Sequence, residues 1–214
     1  MTRDPMKLMR LTGGKDRGRK IAFEKLPRLR PTMDKIRKAV FDIVGSRIVD
    51  ASFLDLFGGT GAIGLEALSR RAGHVVFVDR SKKAYQLIRK NLDLLEWTYR
   101  VGALGRSLKT INLKPGVHPS KQHEVIDVYL NDAHAFLKTS SMMKWTFDLI
   151  FLDPPYNNDL LKYLRFIEKY GILNDGGRVL CEHQEPLNLD GDAFWKCLQK
   201  NRYGDKCVSV VKHV

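Results

Sequence analysis

Short, almost continuously apolar runs alternate along the chain with longer stretches whose apolar positions recur every three or four residues. From residue 52 onward the alternation is regular. SFLDLF precedes AIGLEALSRR, HVVFVD precedes a helical pattern that runs from Ser81, its expected cap, to about Glu96, and VIDVYL precedes a segment opened by Asn131-Asp132-Ala133. FDLIFLD then precedes NDLLKYLRFIEKY, and GGRVLCEH follows. Strands apolar on both faces with helices between them predict a largely parallel sheet covered on both sides, a doubly wound, Rossmann-like α/β fold. The tail FWKCLQKNRYGDKCVSVVKHV reads as two strands about a turn at Tyr203 and Gly204, forming an antiparallel pair.

Two segments break this rhythm. Over residues 1–30, KLMRLTGG and RGRKIAF are extended pieces punctuated by Gly13, Gly14 and Gly18 and closed by Pro27 and Pro31, which predicts a small β-rich arm ahead of a main domain at 31–214. Thr32 is expected to cap a helix carrying Ile36, Val40, Phe41, Ile43 and Val44 on one face. Residues 100–123 are polar, contain Gly and Pro, and show no period, so a surface loop or insertion is expected there.

Composition narrows the class. A chain of 214 residues that is 43% hydrophobic can bury one sizeable core, and a single unit acting as a monomer is expected. No window approaches the roughly 18 unbroken apolar residues of a membrane span, and MTRDPMKLMR lacks the apolar centre of a signal peptide, which points to the cytosol. Cys181, Cys197 and Cys207 lack metal-ligand spacing, so neither a metal site nor a disulfide framework is expected. The histidines His74, His123, His134 and His183 stand alone and read as surface or packing residues. Most of the net charge of +13 comes from residues 1–38, which hold thirteen Lys or Arg. Such a cluster suits a phosphate backbone, and Arg10, Lys15, Arg17, Arg19, Lys20, Arg28 and Arg30 are the candidate contacts.

Gly59-Thr60-Gly61-Ala62-Ile63-Gly64 fits G-x-G-x-x-G between a strand and a helix, and Asp79 ends the next strand. Glycines allow a tight turn and a close ligand, while a carboxylate at that distance accepts from ribose hydroxyls, so an adenosine-containing cofactor is indicated. Asp55, at the strand end before the turn, would oppose a pyrophosphate but suits the ammonium group of S-adenosylmethionine. Charge therefore favours the sulfonium cofactor over a nicotinamide dinucleotide and its dehydrogenase chemistry. Asp132 has two readings, acceptor for the adenine amine or cap of the helix that follows. With their neighbours Phe57, Gly58, Arg80 and Ala133, these residues make up the candidate cofactor site.

Asp153-Pro154-Pro155-Tyr156 closes an apolar strand, at the sheet edge where ligands of such folds bind. Two prolines remove two amide donors and leave carbonyls to accept. The Asp153 carboxylate and the Pro154 carbonyl are placed to accept the protons of a base's exocyclic amine, and Tyr156 to stack on an unstacked base. Taken together, DLFGGTGAIGLEALSRRA, FVD at Phe77–Asp79 and FDLIFLDPPY resemble the RsmD family of bacterial 16S ribosomal RNA guanine-N2 methyltransferases. Gly18-Arg19 and Arg30-Pro31-Thr32 followed by Asp34, Arg37 and Phe41 extend the resemblance upstream. The resemblance implies a class I methyltransferase fold with a seven-stranded sheet, a cytosolic enzyme, and a guanine of small-subunit rRNA, met within an assembly particle, as substrate. It also places Thr32 near the methionine end of the cofactor. Asp79 stands where that family usually has Glu. DPPY is shared with DNA adenine-N6 methyltransferases, which usually carry a larger DNA-recognition region for which this chain has no room.

Overall fold

The computed structural model describes residues 7–23, 31–102, 109–111, 124–155, 160–184 and 187–214. Along them run β1 (Lys7–Arg10), β2 (Lys20–Phe23), α1 (Pro31–Val44), β3 (Ser52–Asp55), α2 (Ala62–Ser69), β4 (His74–Asp79), α3 (Lys82–Leu94), β5 (Tyr99–Gly102) and β6 (Lys109–Ile111). There follow β7 (Val125–Leu130), α4 (Ala133–Met142), β8 (Phe147–Leu152), α5 (Leu160–Tyr170), β9 (Leu173–His183), β10 (Trp195–Tyr203) and β11 (Lys206–His213).

Nine strands form the central sheet, in the order β10-β11-β9-β8-β3-β4-β7-β5-β6. The inner strands β9, β8, β3, β4, β7 and β5 are parallel, and β11, β10 and β6 are antiparallel additions at the two edges. Period-2 alternation sorts each strand between two cores. Phe53, Phe77, Leu149 and Phe151 face the side of α1, α2 and α3, whereas Leu54, Val76, Val78, Ile150 and Leu152 face the side of α4 and α5. Each such side chain, fully buried, contributes roughly 1.5–3 kcal/mol.

The sheet departs from the seven strands expected, and the departure lies in the segment read as loop. β5 and β6 pair there, Tyr99 opposite Ile111, and lengthen one edge. Residues 103–108 and 112–123 of that segment lie outside the described residues. Thr32 does not cap α1, because the helix already begins at Pro31. Proline suits the first helical position, where its fixed φ fits and its missing N–H would go unpaired anyway. Tyr203 is the last residue of β10 and pairs with Lys206, which moves the turn to Gly204 and Asp205.

β1 and β2 pair antiparallel in a sheet of their own, yet Met9, Leu11, Ile21 and Phe23 enter the core beneath α1 and α2. Buried polar groups tie the hairpin down. Glu66 of α2, fully buried, accepts from the Thr12 N–H at 2.9 Å and its hydroxyl at 2.6 Å, and pairs with Arg37 at 3.1 Å and Arg70 at 3.0 Å. Arg37 in turn donates to the Arg10 carbonyl at 2.6 Å. Asn91 of α3 closes both sides of Ala22, accepting from its N–H at 2.7 Å and donating to its carbonyl at 2.9 Å.

Candidate active site

Adjacent strands of the parallel sheet end in acids. β4 ends in Asp79 and β3 in Asp55, Asp153 follows β8, and Glu182 stands one residue from the end of β9. Each lies two residues beyond a side chain of the α1–α3 core, namely Phe77, Phe53, Phe151 and Leu180. A two-residue step returns to the same face, so four carboxylates line one side of the carboxyl edge. The order β4-β3-β8-β9 sets them in the row Asp79, Asp55, Asp153, Glu182.

The glycine loop sits at the Asp79 and Asp55 end. Gly61 has φ 78°, which an L side chain rarely adopts, and its N–H closes the turn on the Gly58 carbonyl at 2.7 Å. Gly64 has another reason to be glycine, since a Cβ there would lie 2.2 Å from the Phe77 ring, where α2 crosses β4. Asp79 is held by the loop it serves, accepting from Gly59 N–H at 2.9 Å and Ser81 N–H at 2.7 Å. Asp55 is 1% exposed and accepts from Gly64 N–H at 3.1 Å. Burial pushes its pKa up to about 7, the Gly64 N–H opposing and the Asp79 charge adding to the rise.

Asp153 opens on solvent at the mouth of the site, Pro154 is buried behind it, and Pro155 is exposed. Although part of the side chain meets solvent, the protein packed about its carboxyl raises the Asp153 pKa. The Glu182 and Asp55 carboxylates push the same way, against the Lys206 ammonium. Glu182 and Lys206 form an ion pair. Sequence reading passed over both, although Glu182 obeys the strand-end rule that singled out Asp153; Lys206 reaches it only through the β9–β11 pairing.

The structure thus gathers Asp55, Gly58, Gly59, Gly61, Asp79 and Asp153 along one edge. Phe57 is half-buried there, edge-on to Tyr163 at 4.9 Å, and Arg80 is exposed beyond Asp79. Asp132 follows β7, the neighbour of β4, and its carboxylate caps α4 by accepting from Ala135 N–H at 3.1 Å, with Ala133 buried as the first helical residue. The side chain of Thr32, and all of Tyr156, Arg28 and Arg30, lie outside the described residues.

The basic hairpin residues divide by engagement. Arg10, Arg17 and Lys20 are exposed, Arg10 donating to the Gly18 carbonyl at 2.8 Å. Lys15 lies over the Trp97 ring and pairs with Glu124. Arg19 binds Asp16 at 3.0 Å and the Leu95 and Leu94 carbonyls at 3.0 and 3.1 Å, a structural duty that competes with phosphate.

Among known proteins, the family model described as conserved hypothetical protein 95 matches residues 9–114 and 106–212. YlbH of Bacillus subtilis strain 168 is 33% identical over 95% of this chain and 98% of its own length. Ribosomal RNA small subunit methyltransferase D of Escherichia coli K12 is 31% identical over 82% of this chain and 75% of its own. The solved structure of yhhF from Escherichia coli superposes with a TM-score of 0.72 at 28% identity, covering 97% of this chain and 98% of that one.

Proposed function

The chain belongs to the conserved hypothetical protein 95 family, the RsmD family that its motifs resemble, and on that premise we propose that it methylates the exocyclic N2 of a guanine in small-subunit ribosomal RNA. It is a ribosomal RNA methyltransferase dependent on S-adenosylmethionine. The observation that carries amine methylation is the placement of Asp153 and Pro154 beyond β8, the strand beside β3 and its glycine loop, and the guanine target follows from the family.

The residues present fit the cofactor. Gly59 lies exposed on the turn, where a ligand can approach the backbone, and the acids beside it match a cofactor bearing an ammonium and a sulfonium but no phosphate. Asp79, oriented by two backbone donors, would hold the ribose hydroxyls, and Asp55 the ammonium. Thr32, Phe57, Gly58, Gly61, Arg80, Asp132 and Ala133 complete the proposed cofactor contacts. When bound, S-adenosylmethionine supplies a sulfonium methyl group open to direct displacement.

Two acceptors of the chain orient the incoming amine. Asp153 accepts one N2 proton and the Pro154 carbonyl the other, which aims the nitrogen lone pair at the methyl carbon. Methyl transfer would leave N2 cationic, and Asp153 would take its surplus proton. Pro155 and Tyr156 are read as the wall against which the base rests. Positioning is the main contribution, since a methyl group on positive sulfur needs little acid assistance. The segment 1–30, with Arg10, Lys15, Arg17, Arg19, Lys20, Arg28 and Arg30 as its basic set, is assigned to the RNA backbone as an arm of the domain beginning at 31. A monomer working in the cytosol on an assembling small subunit is the setting proposed; no helix among the described residues is long and apolar enough to cross a membrane.

Incubation with methyl-labelled S-adenosylmethionine and, separately, unmodified small subunits, free 16S rRNA and duplex DNA tests this reading. N2-methylguanosine in either RNA is the expected product, and N6-methyladenine would sink it.

A further inference from the structure

The mechanism leaves unused the ion pair that stands next in the row after Asp153. Leu152 is in register with Cys181, which puts Glu182 directly across from Asp153 on the neighbouring strand. Val208 is in register with Glu182, and from the start of the same strand Lys206 turns its ammonium onto the Glu182 carboxylate. Glu182 is 9% exposed and Lys206 half-buried. Burial works to lower the Lys206 pKa, but the Glu182 and Asp153 carboxylates outweigh it and hold the ammonium above its ordinary value.

A buried ion pair contributes little to stability compared with apolar residues of the same size, so its position at the mouth of the site asks for another reason. Its chemistry supplies one. Resting on the guanine-N2 reading above, we propose that Glu182 and Lys206 read the target base, Glu182 accepting from guanine N1–H while Lys206 donates to O6.

The row then has a consistent polarity across the sheet. Asp79 and Asp55 serve the cofactor, Asp153 the reacting amine, and Glu182 with Lys206 the rest of the base edge. Asp153 and Glu182 follow neighbouring strands, about 4.8 Å apart, and Lys206 reaches back from the next strand onto Glu182, which draws the three groups together at one end of the sheet. From N2 to O6 guanine presents donor, donor, acceptor, against carboxylate, carboxylate, ammonium in the protein. Adenine, with a bare ring nitrogen at N1 and a C–H at C2, leaves Glu182 without a donor. A site built on polar groups rejects a base that cannot pair with them, because those groups are then left buried and unpaired.

Small subunits reconstituted with guanine or 2-aminopurine at the methylated position test the assignment. 2-Aminopurine keeps the C2 amine but lacks both N1–H and O6. The unaltered enzyme should prefer guanine by about 100-fold or more in kcat/KM. Glu182→Met and Lys206→Met should each lose about tenfold or more of that preference by slowing on guanine alone, with S-adenosylmethionine affinity retained. Lys206→Arg, which still donates, should keep the preference and guards against misfolding of Lys206→Met. Equal slowing on both bases, or loss of cofactor affinity instead, would reduce the pair to a structural tie and overturn the proposal. Methylation of adenine N6 by the unaltered enzyme overturns the guanine reading itself, a result distinct from unchanged base preference in the variants.

Discussion

Asp55 and Asp153 are both carboxyls of raised pKa, for related reasons, and their substitutions separate binding from transfer. Asp153→Ala removes an acceptor of the amine while leaving the glycine loop intact. Transfer should fall by about 100-fold or more, with S-adenosylmethionine affinity changed by less than about threefold. Comparable losses in calorimetric affinity and in turnover would strip Asp153 of its role. Asp55 makes the opposite case. Its folded pKa of about 7 lies above the ordinary 3.8, so between those values the folded protein binds the extra proton. Its contribution to stability is whole below about pH 4 and is lost as pH rises through 7. Asp55→Asn keeps an oxygen for Gly64 N–H and has no charge to bury. It should therefore raise Tm at pH 8, by on the order of several degrees, make little difference at pH 4, and weaken cofactor binding. A lower Tm at pH 8 would mean that the buried charge is compensated in the free protein.

Elements were legible where periodicity was strong and ambiguous where contacts with distant chain decided. HVVFVD and VIDVYL became β4 and β7 with the bounds their apolar runs suggested, FDLIFLD became β8 one residue shorter, and Ser81 caps α3 by accepting from Ala84 N–H at 3.4 Å. Tyr99–Gly102 offers no such run; it becomes a strand because β7 and β6 pair with it on either side. Local pattern also cannot show that Glu66, inside a helix of small and apolar residues, binds Thr12 from 54 residues away. That carboxylate is the clasp between α2, α1 and the hairpin, and Glu66→Ala would leave the Arg37 guanidinium, 3% exposed, without its principal buried partner. Breaking a buried pair from one side costs about 3–5 kcal/mol, so chemical denaturation should show a loss of that order. Amide exchange should quicken first at Leu11–Thr12 and along β1 and β2. A loss confined to α2, with hairpin protection intact, would show that apolar packing alone holds the hairpin.

At the scale of the whole molecule, charge is divided rather than spread. A chain of net charge +13 keeps four carboxylates along one sheet edge, so the field that draws RNA must arise elsewhere, and the hairpin is the densest source. Asp55, Phe57, Gly58, Gly59 and Gly61 of the proposed cofactor site stood out because they fall in one glycine-rich string; the proposed base-reading pair did not, because Glu182 and Lys206 are 24 residues apart and meet only through an antiparallel edge strand. The same distinction governs the arm. Linear clustering marked seven basic residues alike, whereas in the fold Arg10 makes one hydrogen bond, to the Gly18 carbonyl, and Arg19, though also exposed, holds Asp16 and the end of α3. Joint replacement of Arg10, Arg17 and Lys20 by Gln should therefore weaken rRNA binding and lower the slope of log K against log salt by about 2–3, with Tm lowered only by the loss of the exposed Arg10 hydrogen bond to the Gly18 carbonyl. Arg19→Gln should instead lower Tm, by the loss of hydrogen bonds worth about 1 kcal/mol or more, and change the salt slope by about 1 at most. Filter binding across a salt series, beside thermal melts of the same preparations, measures both. An unchanged slope in the triple variant would move the RNA contact off the described hairpin, and an unchanged Tm in Arg19→Gln would return that residue to the pool of phosphate ligands.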